Sequence, residues 1–235
     1  MLILLLIPAI GMSQSKTLIT SNRLFVKNDK VSEFEKALAS HAQKYHTGDV
    51  KWRVWSIQSG PDAGGYMVSE GPSSWDVLDS RGDINPEHMA DWGKNVKPFL
   101  EGQGKTAYGE FQADLSTVQL TDYADKIIVN HITTKPGMPL KVKDLMKKLK
   151  KVWEASNESV AVYTTAFSGE PGYTIVIRLK GGLKELASDY RKPIQERYNT
   201  IYGAGSYDIY LKDFADAVQS RFSELLIYKP NLSSK

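Results

Sequence analysis

The sequence predicts an α+β fold in which one β-α-β-β-α-β unit occurs twice in tandem, the two copies closing into a single barrel. Three observations carry this. The same order of strand and helix periodicities runs through residues 15–118 and again through 119–235. The central hairpins of the two copies match: SGPDAGGYMVSEG and SGEPGYTIVIRLKGG each set Ser-Gly, a proline and Gly-Tyr between two strands, then a glycine before a helix. Finally, Ile175, Ile177 and Leu179 alternate with Thr174, Val176 and Arg178, a strand apolar enough to be covered on both faces.

The chain opens on an uncharged apolar run, LILLLIPAI at 2–10, followed by Gly11, Ser13, Gln14 and Ser15. The run is shorter than the roughly 20 residues that span a bilayer, so no stable membrane anchor is expected. Its trailing small residues suit a cleavage site, and residues 1–14 are read as the signal peptide of an exported protein, periplasmic or secreted. No Lys or Arg precedes the run, and a buried N-terminal strand is the alternative. In the first copy, 23–27 is a short strand. Val31, Phe34, Leu38, Ala42 and Tyr45 then recur at helical spacing over 30–46, and Gly48 stops the helix. The alternating, aromatic-rich VKWRVWSIQ at 50–58 is a strand, and 66–70 is its returning partner. A short helix at 74–80, a helix at 86–100 started by Pro86 and a strand at 105–113 complete the copy.

The second copy repeats the order. KIIVNHIT at 126–133 is a strand, and 140–155 is a helix with Val142, Leu145, Met146, Leu149, Val152 and Trp153 on its apolar stripe. Segments 159–167 and 173–180 form the hairpin. Residues 182–202 and 206–219 are helical on either side of a break at Gly203 and Gly205, and 221–229 is the last strand.

This order is ferredoxin-like, an antiparallel sheet with helices on one face. Two such sheets packed face to face cover each other's open sides. In that respect the chain resembles the dimeric α+β barrel superfamily, which includes antibiotic-biosynthesis-type monooxygenases. The resemblance spans residues 20–230 and rests on element order. It implies an intramolecular pseudo-dimer, monomeric in solution, with a ligand cavity inside the barrel or between helices and sheet. Two ferredoxin-like domains lying side by side are the alternative. Some members degrade haem with an Asn, a Trp and a His. Asn22, Trp75 and His88 stand in loosely corresponding places here, and the second copy offers only Asn130.

Chemistry is less legible. The 235 residues are 41% hydrophobic and include no cysteine, which excludes a thiol nucleophile, a cysteine-ligated metal and a lipidated signal. A net charge of +3 does not point to nucleic acid. No phosphate-binding glycine loop, nucleophile elbow or His-Glu-x-x-His pair occurs. His41 and His46 are five apart, about 140° around a helix, and are read as solvated and not as co-ligands. Glu87, His88 and Asp91 share the face of a surface helix. No metal, no cofactor and no catalytic residue is therefore assigned. The lysines between Lys141 and Lys151 are read as a solvated face.

Five residues are candidates for binding a small apolar or aromatic ligand: Asn130, His131, Arg178, Tyr163 and Trp52. By the period of two, His131 shares a face with Ile127 and Val129, while Asn130 lies on the other. Arg178, in an apolar strand, lines a wet cavity or reaches an acidic partner such as Glu224. Tyr163 and Trp52 belong to a set of strand aromatics suited to an apolar pocket with polar tips. The expected function is a non-catalytic ligand-binding or interaction barrel; the alternative is a cofactor-independent or haem-linked monooxygenase-like enzyme.

Overall fold

A computed structural model describes residues 15–235, and the expected signal segment lies outside them. The first half contains β1 (Leu18–Leu24), α1 (Val31–Tyr45), β2 (Trp52–Ile57), β3 (Tyr66–Ser73), α2 (Trp75–Arg81), α3 (Pro86–Asp91) and β4 (Lys105–Phe111). The second contains β5 (Lys126–Thr134), α4 (Pro139–Ala155), β6 (Val160–Ala166), β7 (Gly172–Arg178), α5 (Ile194–Tyr202), α6 (Ser206–Ala217) and β8 (Val218–Tyr228). The strands form a closed antiparallel barrel in the order β1-β3-β2-β8-β5-β7-β6-β4, with β4 pairing back onto β1. Each half thus keeps the four-strand ferredoxin-like order, and the two sheets close on each other within one chain.

Three elements differ from expectation. β1 starts at Leu18, not at 23, because Ser21 and Arg23 face the barrel interior and their polarity hides the alternation. The helix expected over 86–100 breaks into α3, a π-helical turn at Trp92–Val96 and a 3-10 turn at Lys97–Phe99; Pro98 cannot supply the amide that a continuous helix needs. Residues 182–202 are not one helix either. After a 3-10 turn at Leu183–Leu186 the backbone stays irregular until Pro193, which caps α5.

The helices cover the outside of the barrel. α1 buries Phe34, Leu38 and Ala42 against Leu24, Val54 and Val68. α4 buries Val142, Met146 and Trp153 against Val160, Val162 and Ile175, while its other side packs through Leu145 and Val152 on Tyr198 and Tyr210 of α5 and α6. Each fully buried aliphatic or aromatic side chain stabilises the fold by about 2 kcal/mol through removal of apolar area from water. Asn85 caps α3 by accepting the His88 amide at 2.8 Å, with Pro86 in the first turn. On α4, Lys141, Lys143 and Lys147 pair with Asp213, Asp114 and Asp144 at 3.0 to 3.2 Å on a solvated face.

Closure rests on two junctions between the halves. Trp55–Ile57 of β2 pair with Leu226–Tyr228 of β8, and Tyr108–Phe111 of β4 pair with Tyr163–Ala166 of β6. The chain after β8 prolongs the first junction: the Lys229 amide donates to the Val54 carbonyl, and the Ser233 and Ser234 hydroxyls accept the Val54 and Trp52 amides. The turn between β2 and β3 also leans on β8. Gly60 there has φ +94°, and a Cβ at that position would lie 2.7 Å from Glu224 Cγ and 2.8 Å from the Ser223 carbonyl.

Two outcomes are expected from this architecture. Gly60→Ala should lower unfolding free energy by about 2 kcal/mol in a urea titration, combining left-handed strain with the clash. In sedimentation the full chain should run as a monomer, whereas residues 119–235 alone should self-associate, because half a barrel exposes Ile127, Val129 and Val176. A soluble monomeric half would contradict closure as the stabilising event.

Candidate functional site

Packing does not fill the barrel. Trp55, Ile57, Ile127, Val129 and Leu226 form an interior cluster, and beside it lies a cavity of about 460 Å³. That volume suits a small molecule. Inward-facing positions on every second residue supply the walls: Ser21 and Arg23 from β1, Arg53 and Trp55 from β2, Ile127, Val129 and His131 from β5, Thr174, Val176 and Arg178 from β7.

The cavity has two polar poles separated by an apolar belt. Arg178 pairs in register with Ile127 and Thr174 with His131, so the poles are four residues apart along β5, roughly 13 Å by strand rise. At one pole, Glu224 of β8 is fully buried and takes both Arg23 nitrogens, Nη1 at 2.7 Å and Nη2 at 2.6 Å, together with His131 Nε2 at 2.9 Å. A carboxylate only accepts, so His131 donates to it through Nε2. The His131 ring stacks on Phe222 with centroids 4.4 Å apart. Burial opposes the charge on Glu224, but the hydrogen bonds from His131 and Arg23 outweigh it and bring its carboxyl down to about 2.

At the other pole, Arg53 lies over the Tyr123 ring, 3.8 Å from its centroid. Arg53 has no carboxylate partner among the described residues; its one hydrogen bond goes to the Gly71 carbonyl at 3.4 Å. The Tyr123 hydroxyl is buried and has no hydrogen-bond partner among the described residues. Arg178 is buried and held by the Gln119 carbonyl at 3.1 Å and Asp122 at 3.4 Å. Burial pushes the Tyr163 phenol up to about 12, so it remains a donor at neutral pH.

Of the residues singled out in the sequence, His131, Arg178 and Tyr163 line the cavity, while Asn130 and Trp52 do not. Asn130 points out of the barrel and accepts from the Ser223 hydroxyl at 2.5 Å. Trp52 also faces outward, donating to Glu70 at 2.8 Å, and its strand neighbours Arg53 and Trp55 take the inward places. Arg178 does not reach Glu224. Glu224 lies in register with Val129, and Arg23 from the far side of the interior occupies it. Arg23, Arg53 and Tyr123 are not marked as site residues by the sequence, and Glu224 enters there only as a candidate partner of Arg178. The parity of Arg53 with Trp55 was the available signal for one of them.

The histidines of the first half also depart from expectation. His41 and His46 are buried, not solvated, and His46 lies past the end of α1, where helical angular spacing no longer applies. Both pack against the His88 ring, with centroids 4.8 Å and 5.1 Å away. Burial lowers the pKa of both below the ordinary imidazole value. The haem-degrading set does not assemble: Asn22 accepts the Thr106 hydroxyl at 2.7 Å, Trp75 packs on Tyr108 and Phe167, and His88 belongs to the histidine group. These residues do not fit a shared haem.

No family model matches the chain, and no curated protein does. Solved structures do. An anthrone oxidase-like protein superposes with a TM-score of 0.60 at 12% identity, covering 92% of each chain. A provisionally named monooxygenase from Fusobacterium nucleatum gives 0.57 at 12% identity, covering 90% of this chain and 91% of that one. A provisionally named chlorite dismutase gives 0.53 at 8%, covering 91% and 95%. At such identities the likeness is one of fold: the chain has the dimeric α+β barrel fold, built as a tandem pseudo-dimer.

Proposed function

We propose that the barrel binds a small, planar, mostly apolar molecule carrying an anionic or strongly accepting oxygen. The observation that carries this is the Arg53 guanidinium, which has no carboxylate partner among the described residues, beside the Tyr123 hydroxyl, which has no hydrogen-bond partner among them, both facing a cavity of about 460 Å³ whose middle is apolar. A buried hydroxyl donor without an acceptor is costly unless a guest supplies one, and a half-buried guanidinium whose one hydrogen bond is a long contact to a carbonyl keeps donors for an anionic oxygen. Trp55, Met67, Val129 and Val176 provide flat apolar contact for an aromatic body. The protein is read as exported on the strength of its apolar 2–10 segment; among the described residues no helix is long and apolar enough to cross a membrane.

A second reading, that the barrel acts on its ligand as a cofactor-independent oxygenase, is favoured by the His131–Glu224 pair. Glu224 holds the imidazole Nε2–H, which leaves Nδ1 to take a proton from an activated substrate methylene. Dioxygen would add to the resulting carbanion, giving a hydroperoxide once protonated. Loss of the second C–H proton with cleavage of the O–O bond then yields a carbonyl and one water. The anthrone oxidase-like fold neighbour is consistent with substrates of this kind.

Binding is tested by quenching of tryptophan fluorescence with 1-naphthoate and with uncharged naphthalene. The carboxylate should bind at least tenfold more tightly, Arg53→Ala should remove that preference, and Ala107→Trp should block both ligands by filling the cavity. Equal binding to the Ala107→Trp protein would sink the proposal. Catalysis is tested by oxygen uptake with anthrone: His131→Ala should lower the rate by about 10²-fold or more while 1-naphthoate still binds. No uptake above buffer by the wild type would remove the second reading and leave the first intact.

The Glu224 network also predicts a pH dependence. Its folded pKa of about 2 lies below the ordinary 4.5, so its stabilisation is present above about pH 4.5 and is lost as pH falls toward 2. Glu224→Gln should therefore cost about 3 kcal/mol at neutral pH, and the difference from wild type should shrink in acid denaturation below pH 4.

A further inference from the structure

Outside the barrel, three imidazoles converge between the end of α1 and α3. His41 Nδ1 lies 2.7 Å from Asp91 Oδ2, His88 Nδ1 lies 3.0 Å from Asp83 Oδ1, and His46 Nδ1 lies 3.2 Å from the Val50 carbonyl. All three partners can only accept, so each ring carries its hydrogen on Nδ1 and presents a bare lone pair at Nε2. Those lone pairs point at one another. His46 Nε2 and His88 Nε2 are 3.2 Å apart with no hydrogen between them in the neutral tautomers, and His41 Nε2 is buried with no hydrogen-bond partner among the described residues. The three ligand atoms lie within 4.8 Å of one another.

We propose that the Nε2 atoms of His41, His46 and His88 form a site for a late first-row transition-metal dication, Zn²⁺ or Cu²⁺. One cation among the three nitrogens would satisfy the orphaned His41 Nε2 and separate the two facing lone pairs. For zinc bound tetrahedrally at about 2.0–2.1 Å, nitrogen pairs stand roughly 3.3 Å apart, close to the His46–His88 spacing and reachable for His41 by a small ring rotation. Nitrogen-only donors select these ions over calcium or magnesium, which require oxygen.

The surroundings have the character of a metal site's outer shell. Carboxylates orient His41 and His88, and Glu70 approaches His46 Nδ1 at 3.4 Å while being held by Arg81 and by Trp52. Trp52 stacks on His46 at 3.4 Å between centroids, and Trp92 packs beside His41. Three protein ligands leave a fourth position for water, on the side where His88 is partly exposed. The site spans two segments, so metal binding would tie α3 to the end of α1.

The test uses the untagged full-length protein, stripped with a chelator and titrated separately with ZnCl₂ and CuSO₄ against a chromophoric competitor. One ion per chain should bind, with a rise in melting temperature. His88→Ala, at the partly exposed corner, should weaken binding at least 100-fold and abolish the thermal shift while leaving the melting temperature of the metal-free protein near wild type. Asp91→Asn should weaken binding about 10- to 100-fold through loss of His41 orientation. Saturation by only one of the two ions identifies which the site serves. Failure of both ions to bind at one per chain, or equal affinity in the His88→Ala protein, would overturn the proposal. Should His41→Ala fail to fold, His88→Ala and the visible ligand-field absorption of a Co²⁺ derivative still decide it.

Discussion

An antiparallel sheet backed by helices on one face leaves its other face to be covered, and in this chain the matching sheet of the other half covers it. The whole arrangement depends on the two junctions at which the sheets join, β2 with β8 and β4 with β6. Closure turns both open faces inward and abolishes exposed sheet edges. It also sets what the inward positions must do. They cannot all be large and apolar, because eight strands enclose more volume than the Trp55–Leu226 cluster fills. The unfilled remainder is the cavity, and its polar poles sit where the apolar packing ends.

The buried ion network at one pole joins the halves chemically as well as sterically. Arg23 belongs to the first half, His131 and Glu224 to the second. Buried ion pairs often add little net stability, since desolvation offsets the attraction, but an unmatched member is expensive. A register slip of one residue at the β2–β8 junction would turn Glu224 out of the interior and leave Arg23 without its acceptor. The network therefore penalises incorrect closure more than it rewards correct closure. Gly60 serves the same end by allowing the β2–β3 turn to lie directly on Glu224.

Much of this was readable from alternation. The parity of β5 and β7 separates His131 and Arg178 from Asn130, and these residues face as the period of two requires. Parity was not enough in β2, where Trp52 and Trp55 have opposite parity and either could have been the inward one. The partner of Arg178 was beyond local reading, because choosing Asp122 over Glu224 depends on where β8 pairs with β5, a contact far apart in sequence. The histidine group was hidden for two reasons. Helical spacing misplaces His46, which sits beyond the helix end, and His88 arrives from a segment 42 residues further on. The start of β1 escapes the alternation because Ser21 and Arg23, which face inward, are polar, and that polarity is itself a mark of the cavity.

A barrel formed by two identical chains is bound by its two-fold axis: every side chain placed in the interior appears a second time at the symmetric position. Joining the copies into one polypeptide lifts that restriction. Here the interior carries a carboxylate–imidazole pair at one pole and an arginine–tyrosine pair at the other, and the converging imidazoles outside the barrel belong to the first half alone. Covalent linkage thus permits a single polarised chamber, one that would give an unsymmetrical guest a single preferred orientation, with head and tail distinguished by the protein.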